Sequence, residues 1–434
     1  MRSFAPVGIL FLAALACESA NSERIAAWKG TQKGPDKIEA ALRSGNVPAN
    51  LRAEAAAALV DIGRPEKVDE IMATLDAGER LEILKTLVAI HIKGMASPQV
   101  PKAREARDGL FSLRQFAPPA EQKRIDDVLL ASIEKDLAEG RFTGSRHSLD
   151  KMLSAIGPAA GPMLVRLLGD PKSPAKGLAE LLVKVCDEPT RDKGGVALLG
   201  RISAPGQPMA SDMWLTLGML GGPAVSEFLA GKMQKGSPED AIDAAKALQQ
   251  TRFPSVLPLA LKIAADAKAN KELRGEAFGV IEKVGGPEAE HGLLRIIAED
   301  KNDIVRYRAH EAALEIGKGD AIVPALQAFS GKLSFKREDV VDFLVKDISK
   351  LGAKAKPQVL AALASPSALA RMTAILALET NLPANPRARM GGPEDAAPLL
   401  KLAQDKATIK GFPPSATVGA EAKRVAALLQ GKEN

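Results

Sequence analysis

The sequence predicts an all-α fold, an α-α superhelix (solenoid) of stacked antiparallel helix pairs. Three observations carry that expectation. Hydrophobic residues make up 46% of the chain and aromatic ones only 3%, the apolar share resting on Ala and Leu, which favour helix over strand. A five-position apolar stripe recurs about every 30 to 35 residues. Each stripe is followed by a turn, often with Gly and Pro, and then by a second amphipathic segment. A single pair of this kind leaves one apolar face wet, whereas neighbours stacked in order cover those faces and build a continuous core.

The amino terminus, MRSFAPVGILFLAALACES, has one early positive charge at Arg2, an apolar run from Phe4 to Ala16 and small residues before Cys17. That is the layout of a bacterial export signal, and the run is too short for a good membrane span. Residues 1–16 are therefore expected to be a signal peptide. Ala14, Leu15 and Ala16 directly before Cys17 resemble a lipoprotein signal, in which that cysteine is acylated and becomes the first residue of the mature chain. Ala14 stands where Leu is usual in such signals, which leaves ordinary cleavage after Ala-Leu-Ala open. Residues 17–35 read as a lipidated, flexible tether, with Trp28 as an anchor on the first helix. With Cys17 lipidated, Cys186 has no intramolecular partner, and its place after Leu181, Leu182, Val183 and Val185 marks it as a small buried side chain.

The helical array is expected over 36–434, with about 11 to 12 repeats. Its template is Val305, Ala309, Ala312, Ala313 and Ile316, one face of an α-helix, with Gly317 as the helix-ending residue. The same stripe occurs at Leu51, Ala55, Ala58, Leu59 and Ile62, at Leu273, Ala277, Val280, Ile281 and Val284, and at Val418, Ala422, Val425, Ala426 and Leu429. Weaker copies begin at Leu149, Leu178 and Val340, others near Met209, Asp240 and Leu369, and a poor one near Glu82. The period blurs at 95–144, which reads as two longer helices broken at Pro118 and Pro119. Loop insertions are expected at 381–392, where NLPANPRARMGG carries Arg387 and Arg389, and at 406–415. Such loops suit partner contacts, and they suit equally well insertions tolerated at repeat junctions.

The segments VRYRAHEAALEIG, LRAEAAAALVDIG and LRGEAFGVIEKVG are similar to the second helix of HEAT repeats and of the shorter HEAT-like repeats named after phycobilisome lyases. The resemblance covers roughly 36–430, most strongly 36–94 and 145–365. It implies an α-solenoid with a recurring arginine after the first stripe position, here Arg52, Arg146, Arg274 and Arg306. In those families that arginine often pairs with an acidic or amide group at the turn between helices, for which Asn50, Glu272 and Asp303 are the candidates. The arginines read as a structural ladder, or alternatively as a basic binding surface. Some HEAT-like proteins assemble an iron site from several His-Glu dipeptides, but this chain has one, His310-Glu311. No chromophore-handling site for a phycobilin is evident.

That dipeptide also opens the zinc-protease pattern H-E-x-x-H, and Leu314 stands where the second histidine is needed. His91, His147, His291 and His310 fall in different repeats and read as lone surface histidines. GKMQKGS at Gly231 lacks the lysine of a phosphate loop. No catalytic, cofactor-binding or metal-binding residues are therefore expected, and no cofactor. The 59 basic and 53 acidic side chains give a net charge of +6, a small excess that requires no polyanionic partner. Few aromatics are present to stack on bases, so nucleic-acid binding is disfavoured. The sequence thus points to a non-catalytic cell-envelope scaffold or adaptor, held to the membrane through lipidated Cys17 and binding an unidentified protein or envelope component. The alternative is an enzyme or enzyme subunit whose site is dispersed over the concave face.

Overall fold

The computed structural model describes residues 19–138, 148–202, 211–329, 340–409 and 416–432. Cys17, Arg146, His147 and most of the second expected loop, 410–415, lie outside the described residues, as does the side chain of Arg387. The described chain is all-α apart from one small ribbon, and its contacts divide it into two compact units, Met1–Met163 and Leu164–Asn434.

The first unit contains α1 (Ser22–Trp28), α2 (Gly34–Arg43), α3 (Ala49–Asp61), α4 (Pro65–Thr74), α5 (Ala77–Met95), α6 (Val100–Leu113), α7 (Pro119–Ala138) and α8 (Leu149–Ile156). Residues 22–28, expected in a flexible tether, instead form a helix. Ile25 and Trp28 supply its apolar face, and their burial against α2 and α3 holds it in place. Pro65, Pro101 and Pro119 stand in the first turns of α4, α6 and α7, where a missing N–H costs nothing. In the irregular region the described residues, to 138, form the two helices α6 and α7, and Pro119 opens α7. Neighbours in sequence pack, as α2 on α3 and α5 on α6, and so do alternate helices, as α3 on α5 and α5 on α7.

α9 (Gly161–Gly169) runs across the division between the units. The stretch Leu149–Gly169 is the one helical segment among the described residues long and apolar enough to cross a bilayer, and Gly157 interrupts it at φ 72°.

The second unit continues with α10 (Ala175–Val185), α11 (Glu188–Ile202), α12 (Ser211–Leu220), α13 (Pro223–Lys235), α14 (Pro238–Leu248), α15 (Leu257–Ala265), α16 (Lys271–Val284) and α17 (Pro287–Glu299). It ends with α18 (Asp303–Gly317), α19 (Ile322–Phe329), α20 (Val340–Lys350), α21 (Lys356–Ala362), α22 (Ala368–Glu379), α23 (Ala396–Leu400) and α24 (Val418–Leu429). From α10 to α24 every even-numbered helix packs on the next even-numbered one, and α15, α17, α19 and α21 contact each other in the same alternate way. Small side chains allow the close approach. A Cβ on Gly218 of α12 would lie 2.1 Å from the carbonyl oxygen of Ala247 on α14.

Three local expectations are corrected. The insertion at 381–392 is not a loop throughout but an antiparallel ribbon of β1 (Asn381–Leu382) and β2 (Asn385–Arg389). Buried Met390 anchors it, its N–H donating to the Thr380 carbonyl at 3.0 Å. Gly317 does not end α18 as the turn residue. The helix runs through it, and Lys318 adopts the conformation (φ 50°, ψ −130°) that Gly157 and Gly285 take after α8 and α16. His91 and His310, read as surface histidines, are buried, at 6% and 0% exposure, because each points into a helix–helix contact; His291 is exposed.

Candidate functional site

Arginines at the fourth position of a helix tie the described pairs together. Arg52 on α3 donates from Nε to the Leu42 carbonyl at 2.8 Å, Arg274 on α16 to Ala264 at 3.1 and 2.8 Å, and Arg306 on α18 to Ile297 at 2.7 Å. Each accepting carbonyl lies in the last turn of the preceding long helix, where intrahelical donors run out and the helix dipole favours a cation. All three arginines are buried. Their acidic neighbours are mostly in the following segment: Glu79 for Arg52 at 3.3 Å and Asp300 for Arg274 at 2.8 Å. Asn50 and Glu272 are not these partners, and Glu272 pairs with Lys246 instead; Asp303 does stand near Arg306, at 3.5 Å. Two further arginines at the fourth helical position act alike. Arg80 on α5 donates to Leu75 at 2.6 Å, and Arg371 on α22 donates to Ser365 at 2.7 Å and pairs with Asp405. Neither directly follows the first residue of an apolar stripe, the signal that marks the other three.

A group of ionisable side chains lies where α16, α18 and α20 meet. Tyr307, Arg308, His310 and Glu311 come from little more than one turn of α18, so they spread from its buried face to its solvent edge. Asp347 and Lys350 stand one turn apart on α20, and Glu282 sits near the end of α16. His310 lies wholly inside, its ring edge-on to Phe329 with centroids 5.7 Å apart. Its Nδ1 is 3.7 Å from Asp347 Oδ2, beyond hydrogen-bond length, and neither ring nitrogen has a hydrogen-bond partner. Asp347 is 3% exposed; its Oδ1 accepts from Lys350 Nζ at 2.8 Å. Lys350 also reaches Glu311 at 3.4 Å, and Glu311 receives Arg308.

These contacts set the protonation preferences. Burial by itself would raise Asp347, and the surrounding His310, Lys350 and Tyr307 outweigh it, holding the carboxyl below its ordinary range. Burial and the neighbouring Asp347 carboxylate push the Tyr307 phenol well up, so it stays protonated. Burial also raises Glu282, with Arg308 opposing and Glu311 and Glu315 adding to the rise. The group frames an open cleft of about 240 Å³ lined by Glu282, Arg308, Glu311, Glu315, Asp347 and Lys350, with Leu314 and Leu351 as its apolar part. Leu314, which breaks the zinc-protease pattern, is thus a buried wall. Among the described residues no three His, Cys, Asp or Glu side chains are grouped to hold a metal.

Ion pairs also cross between other even-numbered helices: Lys246 to Glu272 between α14 and α16, and Arg424 to Glu379 between α24 and α22. Of the expected partner-loop residues, Arg389 is exposed on β2. Cys186, expected to be buried, is half-buried after α10.

No protein-family model matches the chain, and no curated protein matches it either.

Proposed function

We propose that the chain is an exported, lipid-anchored α-solenoid of HEAT-like helix pairs. It acts without catalysis as a cell-envelope scaffold or adaptor and binds a protein partner along an extended face. The observation that carries this reading is the repeated arginine cap at Arg52, Arg80, Arg274, Arg306 and Arg371. One interaction reproduced at so many helix junctions is what a repeated helix-pair unit generates, and repeated units present long surfaces rather than one deep pocket. The inter-helix ion pairs from α14 to α24 fit such a surface, being of both signs and set along one series of helices. The export reading rests on Arg2, the apolar run to Ala16 and Cys17.

Tagged protein captured from membranes is expected to bring down a specific partner, and repeated recovery of the chain alone would overturn the adaptor reading. Cys17→Ala is expected to move the protein from the membrane to the soluble fraction. Unchanged membrane association would refute the lipid anchor.

The second reading, an enzyme or subunit with a dispersed site, draws on the His310, Asp347 and Tyr307 group. For general acid–base work a side chain must come within hydrogen-bond reach of the substrate. His310 is enclosed and would need α18 and α20 to part.

A further inference from the structure

The capping arginines differ at one nitrogen. Nη2 reaches an acceptor in four of them: Leu75 for Arg80 at 2.6 Å, Ala264 and Asp300 for Arg274 at 2.8 Å each, Phe329 for Arg306 at 2.8 Å, and Asp405 for Arg371 at 2.7 Å. In Arg52 the same nitrogen has no hydrogen-bond partner, although the residue is only 3% exposed. Nε of Arg52 is turned to the Leu42 carbonyl and Nη1 to Glu79, so in the planar guanidinium Nη2 is the corner between those two contacts. A buried donor without an acceptor is destabilising, the more so in a charged group. Arg52 is also one wall of an open hollow of about 460 Å³ in the first unit. The α2–α3 turn at Gly45, Asn46 and Val47 forms one side of it, and Glu79 and Glu82 of α5 another. Glu79 reaches over the turn, its Oε1 lying 3.3 Å from where a Cβ on Gly45 would stand, and Glu82 is turned to Lys85 at 2.8 Å.

We propose that this hollow receives a main-chain peptide group of the protein partner, its carbonyl accepting from Arg52 Nη2 and its N–H donating to Glu79. The proposal rests on the adaptor reading above and names the place and chemistry of one contact. A backbone carbonyl is what the matching nitrogen of Arg306 already holds inside the fold, there from Phe329. An incoming carboxylate would meet Glu79 and Glu82, and an incoming cation would meet Arg52. A peptide group carries an acceptor and a donor without net charge, so it answers both walls. The volume falls within the range of sites that hold small ligands, and the open side lets a chain continue past it.

Arg274 and Arg306 are internal controls, because they make the same cap with Nη2 already bonded. Full-length protein labelled with nitrogen-15 arginine is to be titrated with acetyl-triglycine amide, with sodium acetate and with glucose, while the Nε–H NMR resonances are followed. The Arg52 resonance is assigned by its loss in Arg52→Lys or, where that variant does not fold, by its displacement in Glu79→Gln. Triglycine is expected to shift it saturably, with a dissociation constant on the order of 10 mM, and to leave those of Arg274 and Arg306 in place. Acetate and glucose are expected to leave all three in place. Gly45→Leu, which puts a side chain into the hollow without touching the ion pair, is expected to weaken the response at least about tenfold. Thermal melting establishes that the variant is folded, and the comparison of the three arginines in the parent protein stands without it. No saturable shift, equal shifts of the three resonances, or full binding by folded Gly45→Leu would overturn the proposal. Acetate or glucose acting as well as triglycine would overturn its assignment to a peptide group, in favour of a carboxylate or a carbohydrate. Failure of membrane capture to yield any partner would instead strike the adaptor reading, because the titration reads the hollow without one.

Discussion

The guanidinium of Arg306 lies over the ring of Phe329, 4.8 Å from its centroid, and donates at 2.8 Å to the carbonyl of that same residue. Since the same group also caps Ile297 and stands near Asp303, one buried side chain ties α17, α18 and α19 together. Arg306→Ala would leave two helix-end carbonyls without donors and open a cavity beside Phe329. A loss of about 3 kcal/mol in denaturant unfolding is expected. Arg424→Ala, which removes a partly exposed pair with Glu379, is expected to cost no more than about 1 kcal/mol in the same assay.

His91 gives the first unit a pH dependence. Burial, opposed only weakly by Asp61, lowers its pKa to about 4 from an ordinary 6.5. The unfolded chain therefore takes up a proton below about pH 6.5 that the folded chain refuses until about pH 4. Its contribution is complete above pH 6.5 and is lost as the pH falls toward 4. At about 1.4 kcal/mol per pH unit the full loss is roughly 3 kcal/mol. Unfolding free energies measured at pH 7 and pH 5 should differ less in His91→Gln than in the parent, and an equal difference would remove His91 as the cause.

Gly218→Ala tests the close approach of α12 to α14. Alanine is the better helix former by about 1 kcal/mol, yet its methyl would meet the Ala247 backbone. Net destabilisation of about 1–3 kcal/mol is expected by thermal or chemical unfolding. A stabilised variant would show that the helices separate freely.

Lys318 holds a backbone conformation that glycine occupies at the matching turns. Lys318→Gly is expected to stabilise the protein by about 1 kcal/mol in equilibrium unfolding, after the small loss of its exposed pair with Glu315. It would also loosen the rim of the cleft.

Much of the fold was legible because it is local. The stripe from Val305 to Ala313 specifies a helix and its buried face with no knowledge of its neighbours, and Pro119 marks the start of α7 for the same reason. Gly317 misled because it serves a close approach, a Cβ there lying 2.7 Å from that of Ala321, while the turn conformation falls one residue later on Lys318. Arg52, Arg274 and Arg306 were marked by their place beside the stripe, whereas Arg80 and Arg371 lacked that mark and emerged only from the carbonyls they reach.

The cleft belongs to the other kind of information. Glu311 and Lys350 lie 39 positions apart, and nothing in either helix alone says that they meet. The sequence by itself determined the helices and their apolar faces, since those follow from periodicity and turn chemistry within a few residues. Tertiary packing of α16, α18 and α20 decided that His310 is enclosed, that Asp347 faces it and that burial raises Glu282 against the pull of Arg308. Burial and neighbouring charge arise only when separate helices are brought together.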